Sequence, residues 1–149
     1  MQLDDTATIL GRAEFFEICD ADQRRLLAFA SERKKFRPGT VIYAAGDVPE
    51  GAHVLISGTV ATTQDGGEDN PFLVHEQGAL LGAMSLVVAR PRPVTVKAID
   101  AVETLFVPRT AFLKLANQYP ALAARAAERI RGELLGYLGA VSSLRGKIG

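Results

Sequence analysis

Between residues 34 and 107 the chain is cut into short apolar runs, each closed by a turn signal after about eight to twelve positions. This punctuation limits the fold more than any other feature. Residues 41–43, 53–57, 59–63, 72–76, 94–99 and 103–107 read as strands. Pro38-Gly39 suits a type II turn, with proline second and glycine third. Gly46-Asp47 and Gly58 end further strands, and Asp65-Gly66-Gly67 reads as a hairpin tip. Strands this short and this frequent predict an antiparallel roll, barrel or sandwich.

Both flanks change to helical spacing. Ile9, Leu10, Ala13 and Phe16 recur at helical intervals, with Phe15 beside them. Asp20 reads as an N-cap and Gln23 completes a capping box. The helix it opens carries Leu26, Leu27, Phe29 and Ala30, which predict a packing face. After Pro108, residues 110–117 form a short helix with Phe112, Leu113, Leu115 and Ala116 on its buried side. Pro120 suits the first position of another helix, reaching to about residue 147. Along it Ala127, Ile130, Leu134, Tyr137, Val141, Leu144 and Ile148 alternate by three and four. That heptad seam favours a homodimer through the C-terminal helix; the alternative is one face lying on the roll. Gly132, Gly136 and Gly139 cost about 1 kcal/mol each relative to alanine, and allow close backbone approach.

A chain of 149 residues is one domain. Residues 1–33 supply N-terminal helices, 34–107 the roll and 108–149 the C-terminal helices. The 17 basic and 17 acidic residues cancel, which speaks against direct nucleic-acid binding. One cysteine, Cys19, makes neither an internal disulfide nor a metal cluster. His53 and His75 are no metal set and are expected on strand faces. The acidic start lacks a secretory pattern, and no run reaches membrane-spanning length, so the expected place is the cytoplasm. Nucleophile-elbow, zinc-protease and phosphate-loop motifs are missing, and no carboxylate pair is convincing, so an enzyme is not expected.

One stretch carries chemistry: GALLGAMSLVVARPRPVTV, residues 78–96. Gly82 lets the backbone approach a ligand closely. The amides of Ala83, Met84 and Ser85 open a helical turn, where N–H groups attract anions. Arg92 lies between prolines that stiffen its backbone, and a guanidinium forks well onto phosphate. The pattern predicts a pocket wall for a small anion. The alternative is a buried hairpin with a surface arginine.

The order of elements, with FRPGTVIYAAGD (36–47), VLISGTV (54–60), the stretch 78–96 and ETLFVPRTAF (103–112), resembles the cyclic-nucleotide-binding domain family, which includes catabolite-activator-type sensor domains. The resemblance covers roughly residues 10–138. It implies an α+β, mainly β fold: a jelly-roll-like antiparallel β-roll of about eight strands, N-terminal helices, and a short plus a long C-terminal helix. It also implies a phosphate-binding cassette, matched here at Gly82, Leu86, Pro91 and Arg92. In the family a glutamate holds the ribose 2′-hydroxyl and a Ser/Thr follows the arginine; here these positions are Ala83 and Pro93. These departures remove a ribose contact and up to two phosphate donors, which at about 0.5–1.5 kcal/mol per lost hydrogen bond weakens a cyclic nucleotide roughly 10- to 1,000-fold. Ser85 stands where alanine is usual, and its hydroxyl is a candidate replacement contact.

The ligand set implied by the resemblance is Gly82, Ala83, Met84, Ser85, Arg92, Pro93 and Val94. Tyr137 is a candidate to stack on a base; the alternative is one more seam residue. The expected function is a regulatory module binding cAMP, cGMP or a related small anion, without a further cofactor, and signalling through its C-terminal helix to a separate effector. The alternatives are a degenerate domain used for dimerisation or docking, and the sensor fragment of a transcription regulator. The few residues after the long helix speak against a helix-turn-helix in this chain, an objection that falls if the chain is a fragment.

Overall fold

The computed structural model describes residues 2–64 and 70–132. The chain opens with α1 (Gln2–Arg12), a 3-10 turn (Glu14–Ile18) and α2 (Ala21–Ala30). The predicted capping box is present at α2. Gln23 N–H donates to Asp20 Oδ1 at 2.7 Å, and Asp20 N–H donates to Gln23 Oε1 at 2.9 Å.

Eight strands follow among the described residues: β1 (Glu32–Phe36), β2 (Val41–Tyr43), β3 (Gly51–Ser57), β4 (Val60–Gln64), β5 (Phe72–Val74), β6 (Leu80–Leu81), β7 (Val94–Ala98) and β8 (Val102–Pro108). They form two antiparallel four-stranded sheets, ordered β1-β8-β3-β6 and β2-β7-β4-β5. The Pro38-Gly39 turn is type II in geometry: Gly39 has φ +88°, and Thr40 N–H donates to Arg37 O at 3.1 Å. The predicted hairpin tip at Asp65-Gly66-Gly67 lies outside the described residues.

Two strands escape the sequence pattern. The segment ERKKF is too charged to alternate cleanly, yet it forms β1, an edge strand held by register pairing to β8 from Glu32↔Phe106 to Phe36↔Val102. Leu80–Leu81 is too short to show a period, yet it pairs with Val54 and His53.

α3 (Arg109–Gln118) follows β8 directly, and a further helix, α4, occupies residues 120–132. Two buried clusters result. One lies between the helices and the first sheet, with Leu10, Leu27, Leu86, Leu105, Val107 and Leu122 packed around the rings of Phe15, Phe16 and Phe112. The other lies between the sheets and holds Tyr43, Leu55, Val60, Leu81, Val96, Ala98 and Val102.

Helical phase corrects three expected packing faces. On α2 the buried stripe is Gln23, Leu27 and Ala28, so Phe29 (82% exposed), Leu26 and Ala30 face outward. On α3 Phe112, Leu115 and Ala116 are buried, and Leu113 is turned out. On α4 Leu122, Ala126 and Ile130 repeat every fourth position and join the helix-side core, whereas Ala127 is exposed. Of the seam residues, Ile130 therefore packs on this chain's own core. Leu134, Tyr137, Val141, Leu144 and Ile148 lie outside the described residues. No helix among the described residues is long and apolar enough to cross a membrane.

Candidate functional site

β6 delivers the chain to Gly82, whose φ of 83° and ψ of 42° are left-handed, a conformation that side chains rarely adopt. A short 3-10 turn, Ala83–Leu86, follows at once. Leu86 points into the helix-side core and pins the turn. Ser85 N–H donates to Gly82 O at 2.9 Å, so this amide closes the turn instead of facing a ligand. The amides of Ala83 and Met84 stand at its head.

The chain returns through Arg90-Pro91-Arg92-Pro93, and the loop after β2 clamps it. Arg92 N–H donates to Asp47 O at 2.8 Å, and Gly46 N–H donates to Arg92 O at 2.9 Å. The guanidinium carbon of Arg92 lies 5.2 Å from the ring centre of Tyr43. Arg92 Nε is buried and has no hydrogen-bond partner among the described residues. Burial lowers the arginine's pKa, and Tyr43 opposes that shift. An anion at the guanidinium would offset its desolvation, although Nε itself is closed to solvent.

Tyr43 is buried behind Arg92 and does not itself line the cleft. Its hydroxyl reaches Leu81 O at 3.0 Å and Gly51 O at 3.3 Å, and burial raises its pKa, so it remains a protonated donor. A Cβ at position 82 would stand 3.1 Å from the Tyr43 oxygen and 3.5 Å from Arg92 Cζ. Glycine is thus favoured here by backbone sign, and a Cβ would need the Tyr43 hydroxyl to give by a few tenths of an ångström.

The cleft over these groups has a volume of about 600 Å³. Leu80, Met84, Val88, Pro91 and Pro93 give it apolar walls; Ser85, Arg90 and Arg92 give it polar ones. No carboxylate lines it among the described residues. A groove of about 670 Å³ beside α4 is larger. Two of its arginines are already committed to backbone carbonyls, Arg125 to Ile18 O and Arg129 to Glu14 O, each at 2.9 Å.

Six of the eight candidate ligand residues line the cleft, Gly82, Ala83, Met84, Ser85, Arg92 and Pro93, as does the cassette residue Pro91. Val94 does not; it begins β7 and packs against the core between the sheets. Tyr137 lies outside the described residues. Sequence reasoning missed Tyr43 and Arg90. Arg90 had a usable signal, since it is a second arginine two residues from Arg92 in the same proline-stiffened stretch. Tyr43 had none, because its role arises from contacts with residues about forty positions away.

His53 is on strand β3 and buried, whereas His75 follows β5 and is exposed. His53 Nδ1 is 2.7 Å from Thr104 Oγ1, and the rings of Phe36, Tyr43 and Phe106 surround it. Burial, with Lys34 adding to it, pushes its pKa down to about 4. Cys19 is also buried, which pushes its thiol up to about 11 and keeps it unreactive. Among the described residues no group of three His, Cys, Asp or Glu side chains is placed to hold a metal ion.

The family model for the cyclic nucleotide-binding domain matches residues 33–119, more than half of the chain. The chain belongs to this family. The domain's match takes in β1 from its second residue, the other seven described strands, the Gly82 turn, Arg92 and α3. Over 95 residues the chain is 30% identical to the cAMP-dependent protein kinase regulatory subunit of Pyricularia oryzae, covering 64% of this chain and 24% of that protein. Over 96 residues it is 30% identical to Lysophospholipase nte1 of Aspergillus niger, covering 63% of this chain but only 6% of that protein. The chain thus spans a small part of these curated relatives. Among solved structures, the Thermus thermophilus Catabolite Activator Protein superposes with a TM-score of 0.71 at 24% identity, over 88% of this chain and 62% of that one. A Cyclic nucleotide-binding-like protein from Brucella abortus superposes with a TM-score of 0.63 at 28% identity, over 76% of this chain and 98% of that one.

Proposed function

We propose that this domain is a regulatory ligand-binding module that takes a cyclic nucleotide, cAMP or cGMP, or a related small phosphate anion in the cleft between Gly82 and Arg92. The observation that carries this reading is Arg92: a desolvated guanidinium over Tyr43, with an orphaned Nε and no acid beside it in the cleft. The backbone clamp to Asp47 and Gly46 holds it in place before any ligand arrives. Preorganisation of this kind reduces the cost of binding. The volume of the cleft falls within the usual range for small-molecule sites, about 300–1,000 Å³.

No catalytic step is assigned to the domain. Ligand binding would bias its output only through a difference in affinity between two arrangements. The 3-10 turn, packed on the same core as α3 and α4, is the element through which the cleft would act on the helices. A cytoplasmic setting, dimerisation through the C-terminal helix and a separate effector belong to the same proposal.

A second reading is favoured by one specific observation. Ala83 and Pro93 stand on the cleft wall and offer no side-chain donor or acceptor. A domain that retains the fold but docks on another protein would tolerate this. Isothermal titration with cAMP and cGMP separates the two. Micromolar binding that Arg92→Ala abolishes supports the sensor; no heat and no thermal shift at millimolar ligand leaves the docking module.

A further inference from the structure

The charges of the cleft point beyond the general reading, and the inference rests on that reading of the cleft as a phosphate site. Two arginines line it, Arg92 at depth and Arg90 at the exposed rim. No ion pair among the described residues involves either, and no described carboxylate lines the cleft. A cyclic phosphodiester brings one negative charge and two free phosphate oxygens. A phosphomonoester at neutral pH carries about −1.5 to −2, with three acceptor oxygens. Two forked guanidiniums with no competing acid match the second kind of group better.

We propose that the cleft prefers a terminal phosphate dianion, such as the phosphomonoester of a nucleoside 5′-monophosphate, over the singly charged ring of a cyclic nucleotide. Arg92 holds the phosphate from below, and Arg90 closes on its outer oxygens. Met84, Val88 and the two prolines contact the body of the molecule. Arg90 acts as the selecting residue, because it is the second cation lining the cleft and stands exposed.

The test is calorimetric titration of the full chain with 5′-AMP and with cAMP, which share base and ribose, at one pH near 7.5 and one ionic strength. An exposed guanidinium contributes modestly, so 5′-AMP should bind about fivefold tighter than cAMP. Arg90→Ala, at an exposed position where circular dichroism should show an unchanged fold, should bring that ratio close to one. Arg92→Ala should abolish binding of both. Equal or tighter binding of cAMP overturns the preference and leaves the cyclic-nucleotide reading intact. A preference for 5′-AMP that survives Arg90→Ala overturns the role given to Arg90. Binding of neither ligand overturns both this inference and the sensor reading.

Discussion

Two buried polar groups lie on either side of Tyr43, and they are treated in opposite ways. On one side His53 is 5.3 Å from the tyrosine ring and has its partner in Thr104 at 2.7 Å. On the other Arg92 is 5.2 Å from the same ring and leaves Nε without any. Burial disfavours the charged form of both. The histidine responds by staying neutral and hydrogen-bonded, which makes it a piece of the core. An arginine stays charged at physiological pH, so the desolvation of its guanidinium is offset only when an anion arrives. A satisfied buried polar group marks structure, and an unsatisfied charged one beside a cleft marks a site.

Acid offers the largest test of this contrast. The value for folded His53, about 4, lies below the ordinary 6.5, so the unfolded chain takes up the proton first as pH falls. The contribution of the neutral ring is intact above about pH 6.5 and is lost progressively toward pH 4, by about 3 kcal/mol in all. Urea unfolding at pH 7, 5 and 4 should show that loss, and His53→Gln should flatten it. An unchanged slope in the variant would mean that His53 is not the acid-labile group.

Next in size is Thr104→Val, which keeps the shape but strands His53 Nδ1. The expected cost is about 1–3 kcal/mol in unfolding free energy, with ligand affinity unaltered. Loss of ligand binding in this variant would show that the two sides of Tyr43 are coupled.

Gly82→Ala acts on the other side. A left-handed alanine costs about 1–2 kcal/mol, and its methyl would press on the Tyr43 hydroxyl beside Arg92. Thermal unfolding should fall by several degrees and titration heats should vanish together.

The smallest stability effect belongs to Arg92→Leu. Removing a donor that has no partner should change stability by less than about 1 kcal/mol, in either direction, while abolishing binding. A large destabilisation would make Arg92 structural and erase the contrast with His53.

Much of the frame was legible in the order of residues because its signals are local. Turn chemistry at Pro38-Gly39, the capping box at Asp20 and the placement of most strands follow from backbone preferences within a few residues. The Gly82 turn and Arg92 were equally legible, since a glycine before a short turn and a proline-locked arginine announce themselves without a partner. What failed was whatever depends on helical phase against a neighbour. Leu26, Phe29 and Leu113 have the composition of packing residues but the wrong angle around their helices.

By itself, then, the sequence determined an antiparallel fold of short strands, its flanking helices and the cleft's backbone through turn types, periodicity and proline stiffness, and the family resemblance narrowed that fold to a roll. Only the tertiary structure decided that β1 pairs with β8, that Ser85 spends its amide on closing the turn, and that Tyr43 lies beneath Arg92. The reason is physical. Backbone propensity acts over neighbouring residues, whereas desolvation, ring contact and hydrogen-bond satisfaction depend on groups that meet only when distant strands close on one another.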